Sequence, residues 1–304
     1  MLGQLYMAPY LPEELYGRAL LDAHNVESRR MASTAAALAR RPRGIAARLQ
    51  RGPVGRLERD VVSRVARTVA VSPPELAHFA AIAPGRVDLV PNGVDCETLQ
   101  PRERLPREPT LLFLGSMDYS PNVDAVEHLV RDVLPAVRRR DARVTVIGSN
   151  PRPRVRAAAA RSGVPVEVLG YVERPGPHWE SSRIFVVPLR FGGGTRLKIL
   201  EALARGVPVV STSLGCEGLG LEHEHDVVVA DGPHELAAWI DRLLEDDALC
   251  LRLAEEGRRT VERRFDWASL AELFEASLLR ASNSSARGMS LAGATPIQRE
   301  AGWS

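Results

Sequence analysis

Between residues 111 and 280 the chain alternates short runs that are apolar at almost every position with longer amphipathic segments, and few folds accommodate that rhythm. Leu111–Leu114, Val144–Ile147, Val166–Leu169, Ile184–Val187, Val207–Val210 and Val227–Val229 read as strands. Most lack the polar/apolar alternation of a strand with one wet face, so they are expected to be buried on both faces. Helical segments fall between most of them, near 122–139, 152–162 and 195–205, and continue at 233–245, 247–263 and 267–280. This alternation predicts a doubly wound α/β unit around a parallel sheet, with ligands held at the carboxyl ends of its strands.

The first ninety residues repeat the pattern less fully. Ala19–Asp22 reads as a strand running into His24-Asn25, followed by Arg-rich helical segments at about 26–40 and 45–66. Thr68–Val71 and Val87–Val90 are further strands. Between them Ser72-Pro-Pro-Glu75 has the form of a capping box with proline at the first helical position. Asn92-Gly93 and the Pro-rich stretch up to Pro109 suit a domain crossover. The reading divides the chain into a partial first unit (1–95), a second unit (96–264), a returning helix (265–280) and a disordered tail (281–304).

A net charge of +2 over 304 residues argues against a dedicated nucleic-acid binder. No run approaches the eighteen apolar residues of a membrane span. Cys96, Cys216 and Cys250 are scattered and lack metal spacing, which suits a reducing cytosol, and the first residues do not read as a signal peptide. The Arg-rich stretch from Arg29 to Arg67 reads first as a solvated helix face; contact with anionic lipid or an acidic partner is the competing reading.

The chemistry concentrates at one turn. The strand Ile184–Val187 leads through Pro188-Leu189 into Gly192-Gly193-Gly194, and a helix is expected from Thr195 to about Arg205. Glycines let the backbone approach a ligand closely and adopt positive φ. The free N–H groups at the start of the helix favour an anion. Arg196 and Lys198 add two positive charges in the expected first turn, and Lys198 is the single lysine among 40 basic residues. Glu201 lies one turn further along the face shared by Gly194 and Lys198, where a carboxylate can accept from ribose hydroxyls. Leu197, Leu200, Leu203 and Ala204 are expected to pack under the sheet. Together these features describe a diphosphate and ribose clamp, against the plainer reading of a Gly-rich loop with a surface Lys198–Glu201 pair.

Several segments in fixed order resemble the family 4 glycosyltransferases, the group 1 glycosyltransferases of GT-B fold. They are Val90-Pro-Asn-Gly-Val-Asp95, Phe113-Leu-Gly-Ser-Met-Asp118, Gly193–Ala202, Gly206-Val-Pro-Val-Val-Ser-Thr212, Gly215-Cys-Glu-Gly-Leu219 and Phe265-Asp-Trp267. The resemblance implies a GT-B-like α/β fold with a complete C-terminal Rossmann-like domain and a partial N-terminal one. It implies a retaining glycosyltransferase that moves a sugar from a nucleotide-diphosphate donor to a polysaccharide or glycolipid acceptor, with no cofactor and no metal. Arg196 and Lys198 would bind the diphosphate and act in catalysis. Gly115, Gly192, Gly193, Gly194, Thr195 and Glu201 would complete the donor site, and His24 would orient acceptor or sugar. A cytoplasmic location, with peripheral contact at the inner face of a membrane, goes with this reading.

This sequence departs from the family pattern in three ways. Gly193 stands where many members carry a second glutamate, Gly115–Pro121 lacks the usual cations, and the resemblance begins only near Leu21. About half of the N-terminal domain is therefore expected to be absent, leaving an exposed strand edge and a separate N-terminal fragment as a candidate partner. The alternative function is a weakly active or inactive nucleotide-sugar-binding remnant. A nicotinamide oxidoreductase is disfavoured because no strand opens into Gly-x-Gly-x-x-Gly. Glu222-His-Glu-His-Asp226 reads as a polar loop rather than a metal site, Cys216 as structural, and Trp267 as the anchor of the last helix.

Overall fold

In the computed structural model, which describes the backbone of residues 1–292 and side chains through residue 283, the strands form two all-parallel sheets. The smaller sheet has β1 (Leu20–Ala23), β2 (Arg67–Ala70) and β3 (Val87–Leu89) in the order β1-β2-β3. The larger comprises β4 (Thr110–Leu114), β5 (Arg143–Ile147), β6 (Val166–Gly170), β7 (Ile184–Val187), β8 (Val209–Ser211) and β9 (Val228–Val229). Its order is β6-β5-β4-β7-β8-β9, so the winding reverses between β4 and β7. At such a switch point the loops leaving two neighbouring strands part to opposite faces and open a crevice. One of those loops begins at Gly115 and the other leads to the triple glycine.

The helices are α1 (Glu27–Ala37), α2 (Pro42–Arg64), α3 (Pro73–Ile82), α4 (Ser120–His128), α5 (Pro153–Ala159) and α6 (Gly176–Ser181), followed by α7 (Leu197–Ala204), α8 (Pro233–Glu245), α9 (Asp247–Phe265) and α10 (Trp267–Ala292). Leu111, Leu112, Phe113 and all of β7 are fully enclosed, as their unbroken apolar pattern requires. The long helix expected over 122–139 is instead α4, a wider π turn at Leu129–Val133 and a tight turn at Leu134–Ala136. Pro135 explains the break, since it has no N–H to donate and its ring crowds the carbonyl one turn back.

In the smaller unit, Leu21, Val61, Val65, Ala70 and Phe79 form a separate core. The backbone of Leu2 covers part of the outer edge of β1, its N–H donating to Leu20 at 2.8 Å and its carbonyl accepting from Asp22 at 2.8 Å. Met1, Tyr6, Met7, Tyr10 and Leu15, in the segment around and after Leu2, are exposed.

Helix α10 crosses back to the smaller sheet, where Ser277 Oγ donates to Asp88 at 2.6 Å and Phe274 packs with Leu20 and Val69. Two sequence expectations change here. The helix continues to Ala292, past position 281 where a disordered tail was expected to start, and Ala281 itself is buried in the cluster with Leu20 and Val69; residues 293–304 lie outside the described residues. Trp267 does not anchor the helix by its indole, which is half exposed. The anchor is backbone: Trp267 N–H donates to Val94 O at 3.0 Å and Val94 N–H to Phe265 O at 2.9 Å, with the Phe265 ring buried.

Candidate active site

The chain leaving β7 turns at Gly192 and Gly194, whose φ angles of 119° and 85° lie where side chains are strained. Space adds a second reason for glycine. A Cβ on Gly194 would sit 2.5 Å from Asn25 Oδ1, and one on Gly192 would sit 3.0 Å from the Tyr119 hydroxyl. Gly192 N–H donates to Ser33 Oγ at 3.3 Å and Gly193 N–H to Tyr119 Oη at 3.4 Å. The middle of α1 and the loop before it, in the smaller unit, thus close directly on the glycine turn of the larger one.

A cleft of about 570 Å³ lies at this meeting, lined by Gly193, Gly194 and Thr195 on one side and by His24, Asn25, Arg30 and Asn92 on the other. Gly192 lines an adjoining pocket of about 200 Å³ with Arg29, Glu75 and Glu217. His24 Nε2 stands 3.3 Å from Asp22 Oδ2, and that hydrogen bond raises the imidazole pKa above its ordinary value. A ring held by Asp22 of β1 and lining the cleft opposite the glycine turn is placed to orient a hydroxyl.

The two cations are not where helical spacing alone puts them. α7 begins at Leu197, so Arg196 precedes the helix and is not in its first turn. Its buried guanidinium donates to the carbonyls of Gly193 and Gly194, closing the loop that would otherwise wind into helix. Nε and Nη2 of the same group are enclosed without a partner. Lys198 Nζ donates to Leu114 O at 3.0 Å and Asn122 Oδ1 at 3.1 Å, and it lies 4.7 Å from the centre of the Phe113 ring. Burial, with a smaller contribution from the charge of Arg196, pushes its pKa down to about 7. Both cations therefore sit enclosed beside the glycine turn and the end of β4, with no carboxylate in ion-pair contact among the described residues, although the charge of Glu217 acts on Arg196 from further off.

Glu201 pairs with Arg205 at 3.5 Å and not with Lys198. Leu197 is about half exposed, contrary to its expected place under the sheet, because the late start of α7 turns it toward the cleft; Leu200, Leu203 and Ala204 are buried. Gly115 lies at the end of β4, where a Cβ would stand 2.7 Å from the Asn122 amide. Asn122 also donates to Ser116 O at 2.9 Å, so one buried amide links the β4 loop to Lys198. The sequence reading missed Asn122, as well as Arg30, Asn92, Tyr119 and Glu75. The Asn122–Lys198 contact spans 76 residues, and no local pattern carries such a signal.

Glu75 corrects the expected capping box. Ser72 starts α3 without a side-chain cap bond, and the Glu75 carboxyl has one oxygen enclosed without a partner. Burial pushes its pKa up to about 7. A carboxyl raised from 4.5 holds a proton in the folded chain that the unfolded chain releases, so stability falls as pH rises from 4.5 to 7. Glu75→Gln is therefore expected to melt roughly 5 °C above wild type at pH 8 and level with it at pH 4, about 2 kcal/mol of relieved desolvation at the higher pH. Melting curves at both pH values check this, and an equal gain at both would rule out the carboxylate as its source.

In the 222–226 loop, His223 Nδ1 accepts from Val229 N–H at 3.0 Å and His225 Nδ1 lies 3.0 Å from Asp226. Among the described residues no three His, Cys, Asp or Glu side chains converge as a metal would need. Burial raises the Cys216 thiol to about 11, leaving it unsuited to act as a nucleophile.

Residues 108–246 match the family described as glycosyl transferases group 1. An MMP alpha-(1->4)-mannosyltransferase of Mycolicibacterium hassiacum is 28% identical over 199 residues, 63% of this chain and 47% of that protein. A phosphatidyl-myo-inositol mannosyltransferase of Mycobacterium leprae is 29% identical over 193 residues, 60% of this chain and 50% of the relative. The chain spans about half the length of the curated relatives it matches. Among solved structures, sucrose-phosphate synthase from Thermosynechococcus elongatus superposes with a TM-score of 0.69 at 20% identity, over 90% of this chain and 68% of that one. Anabaena HepE, in complex with UDP and glucose, does so with a TM-score of 0.63 at 14% identity, over 90% and 78%. The two parallel sheets with a returning C-terminal helix are the GT-B fold, and residues 108–246, most of the larger unit, are similar to the group 1 glycosyl transferases.

Proposed function

We propose that this chain is a retaining glycosyltransferase that moves a sugar from a nucleotide-diphosphate donor to a polysaccharide or glycolipid acceptor. The observation that carries the reading is the pair of enclosed cations beside the glycine turn, Arg196 with two unpartnered donor nitrogens and Lys198 without a carboxylate. Buried donors without acceptors are costly, and a diphosphate seated on the turn supplies what they lack. Charge growing on the leaving diphosphate would be stabilised by the same cations without a catalytic metal. In this reading Glu201 exchanges Arg205 for ribose hydroxyls, Gly115 and Gly192–Thr195 line the donor, and His24 orients the acceptor or the transferred sugar. Contact of α1 with the turn would keep water from the donor.

Among the relatives, a Mycobacterium tuberculosis enzyme is named GDP-mannose-dependent, so GDP-mannose is the first donor to test. Titrated with GDP-mannose, UDP-sugars and ADP-sugars, the wild-type chain is expected to gain roughly 5 °C in melting temperature at saturating levels of the right donor. Arg196→Ala is expected to lose that gain. No shift with any of the three donor classes would overturn the reading.

A further inference from the structure

We propose that the cavity at the carboxyl end of α7 binds a small phosphate monoester that carries hydroxyl groups. The cavity measures about 540 Å³ and lies between the crossover segment, α6 and Arg205, the residue that ends α7. Arginines supply much of its wall, Arg102 and Arg104 from the crossover beside Arg205. Among the described residues no carboxylate pairs with Arg102 or Arg104. Arg102 is partly buried, which lowers its pKa to about 10 and leaves it a cation at neutral pH. Its guanidinium donates to the carbonyls of Ser182 and Arg183. Arg205 Nε is enclosed and stands 3.5 Å from Glu201 Oε1 without a hydrogen bond. Trp179, 1% exposed, has an enclosed indole N–H that finds no acceptor. Unpartnered donors and unpaired cations on one cavity leave a deficit of acceptors that an anion fills.

Free carbonyls at the carboxyl end of a helix would repel an anion, but here they are taken. Leu203 O accepts from Gly206 N–H at 3.0 Å, Arg205 O from Arg102 N–H at 3.1 Å, and Ala204 O from the Arg258 guanidinium. Volume and the remaining polar groups select the ligand. A bare phosphate or carboxylate ion would leave most of the 540 Å³ empty. Glu103 and Glu180, exposed on the same cavity, repel a second anionic group but accept from hydroxyls. Trp179 is buried and offers no open ring face to a nucleobase. One consequence rests on the donor reading given above. Glu201 stands against Arg205 in the free chain and must leave it to reach a ribose. An anion that draws Arg205 into the cavity releases Glu201, so each ligand tightens the binding of the other by the same factor.

The test is thermal melting and calorimetric titration of the full chain with glucose 6-phosphate and glycerol 3-phosphate, beside glucose and inorganic phosphate. At saturation one of the two esters is expected to raise the melting temperature by roughly 5 °C and to bind about tenfold more tightly than inorganic phosphate. Arg104→Ala, on an exposed side chain, is expected to bind that ester about tenfold more weakly, with unchanged melting in its absence and an unchanged nucleotide-sugar shift. Arg196→Ala is expected to keep the ester's shift, because that cation belongs to the donor site. The saturating ester is expected to tighten nucleotide-sugar binding about fivefold. Arg205→Gln is expected to bind the nucleotide-sugar that much more tightly from the start, with no further response to the ester. No shift with either ester, equal affinity for inorganic phosphate, full binding by Arg104→Ala, or a shift lost in Arg196→Ala would each overturn the site. Independent binding of the two ligands would overturn the coupling. An ester shift in a wild type that shows no nucleotide-sugar shift would remove the donor reading and the coupling with it, and would leave the cavity its ligand.

Discussion

Lys198→Met is expected to lower transfer from a nucleotide-sugar by about a thousandfold, while leaving the free chain at least as stable as wild type at pH 7. The ammonium lies in an enclosed site against the Phe113 ring, with two neutral acceptors and no carboxylate. Stripping a cation of water is penalised by several kcal/mol, and methionine fills similar volume without that penalty. Leu114 O and Asn122 Oδ1 lose a donor, which offsets part of the gain. The pH dependence gives the sign. With a pKa near 7 in the folded chain against 10.5 ordinarily, the unfolded chain binds a proton across that window that the folded chain does not. Wild-type stability therefore rises with pH from 7 toward 10.5, and the advantage of the variant is largest at pH 7 and below and shrinks above it. Melting temperatures across this range, beside a transfer assay, check both halves. A variant less stable at every pH would mean that Lys198 supports the fold and is not held there for an anion.

Gly148→Ala is expected to destabilise the larger domain by about 3 kcal/mol, roughly 10 °C in melting temperature, and to weaken donor binding with it. At the carboxyl ends of β4 and β5 the loops pass so closely that a Cβ on Gly148 would fall well inside contact distance of the Gly115 carbonyl oxygen. Backbone hydrogen bonds fix both strands there, Gly115 N–H to Ile147 O at 2.9 Å and Gly148 N–H to Gly170 O at 2.8 Å, so neither side can yield cheaply. Displacing Gly115 would press on Asn122, and Asn122 holds Lys198. Thermal melts with and without a nucleotide-sugar separate the two effects; a variant with wild-type melting would mean that the loops have room.

Much of this architecture is legible in the sequence, for identifiable reasons. β7 occupies the run read as a strand, because four consecutive apolar residues ahead of a glycine turn leave little choice. α8 likewise matches its segment, with Pro233 at its start and an amphipathic period throughout. Errors cluster at ends. Thr195 and Arg196 were expected inside α7, yet the Arg196 guanidinium folds back on two glycine carbonyls and the helix starts only at Leu197; no propensity encodes a side chain folding back on its own loop. Pro135 could have warned of the break after α4, but the apolar period on both sides of it masks the interruption.

The candidate site divides along the same line. The sequence by itself determined the chemistry available: a strand, three glycines, two cations and a carboxylate at spacings that read as an anion clamp, among segments that resemble the group 1 glycosyltransferases. Those are local patterns, set by backbone freedom and helical period. Only the tertiary structure decided that Lys198 lies enclosed beside the turn on Asn122, that Ser33 and Asn25 of the smaller unit close on Gly192 and Gly194, and that arginines of the crossover segment meet the end of α7 in one cavity. Each of these is a meeting of residues far apart in sequence. Such meetings are set by how two sheets and their helices pack, and packing is a property of the whole chain.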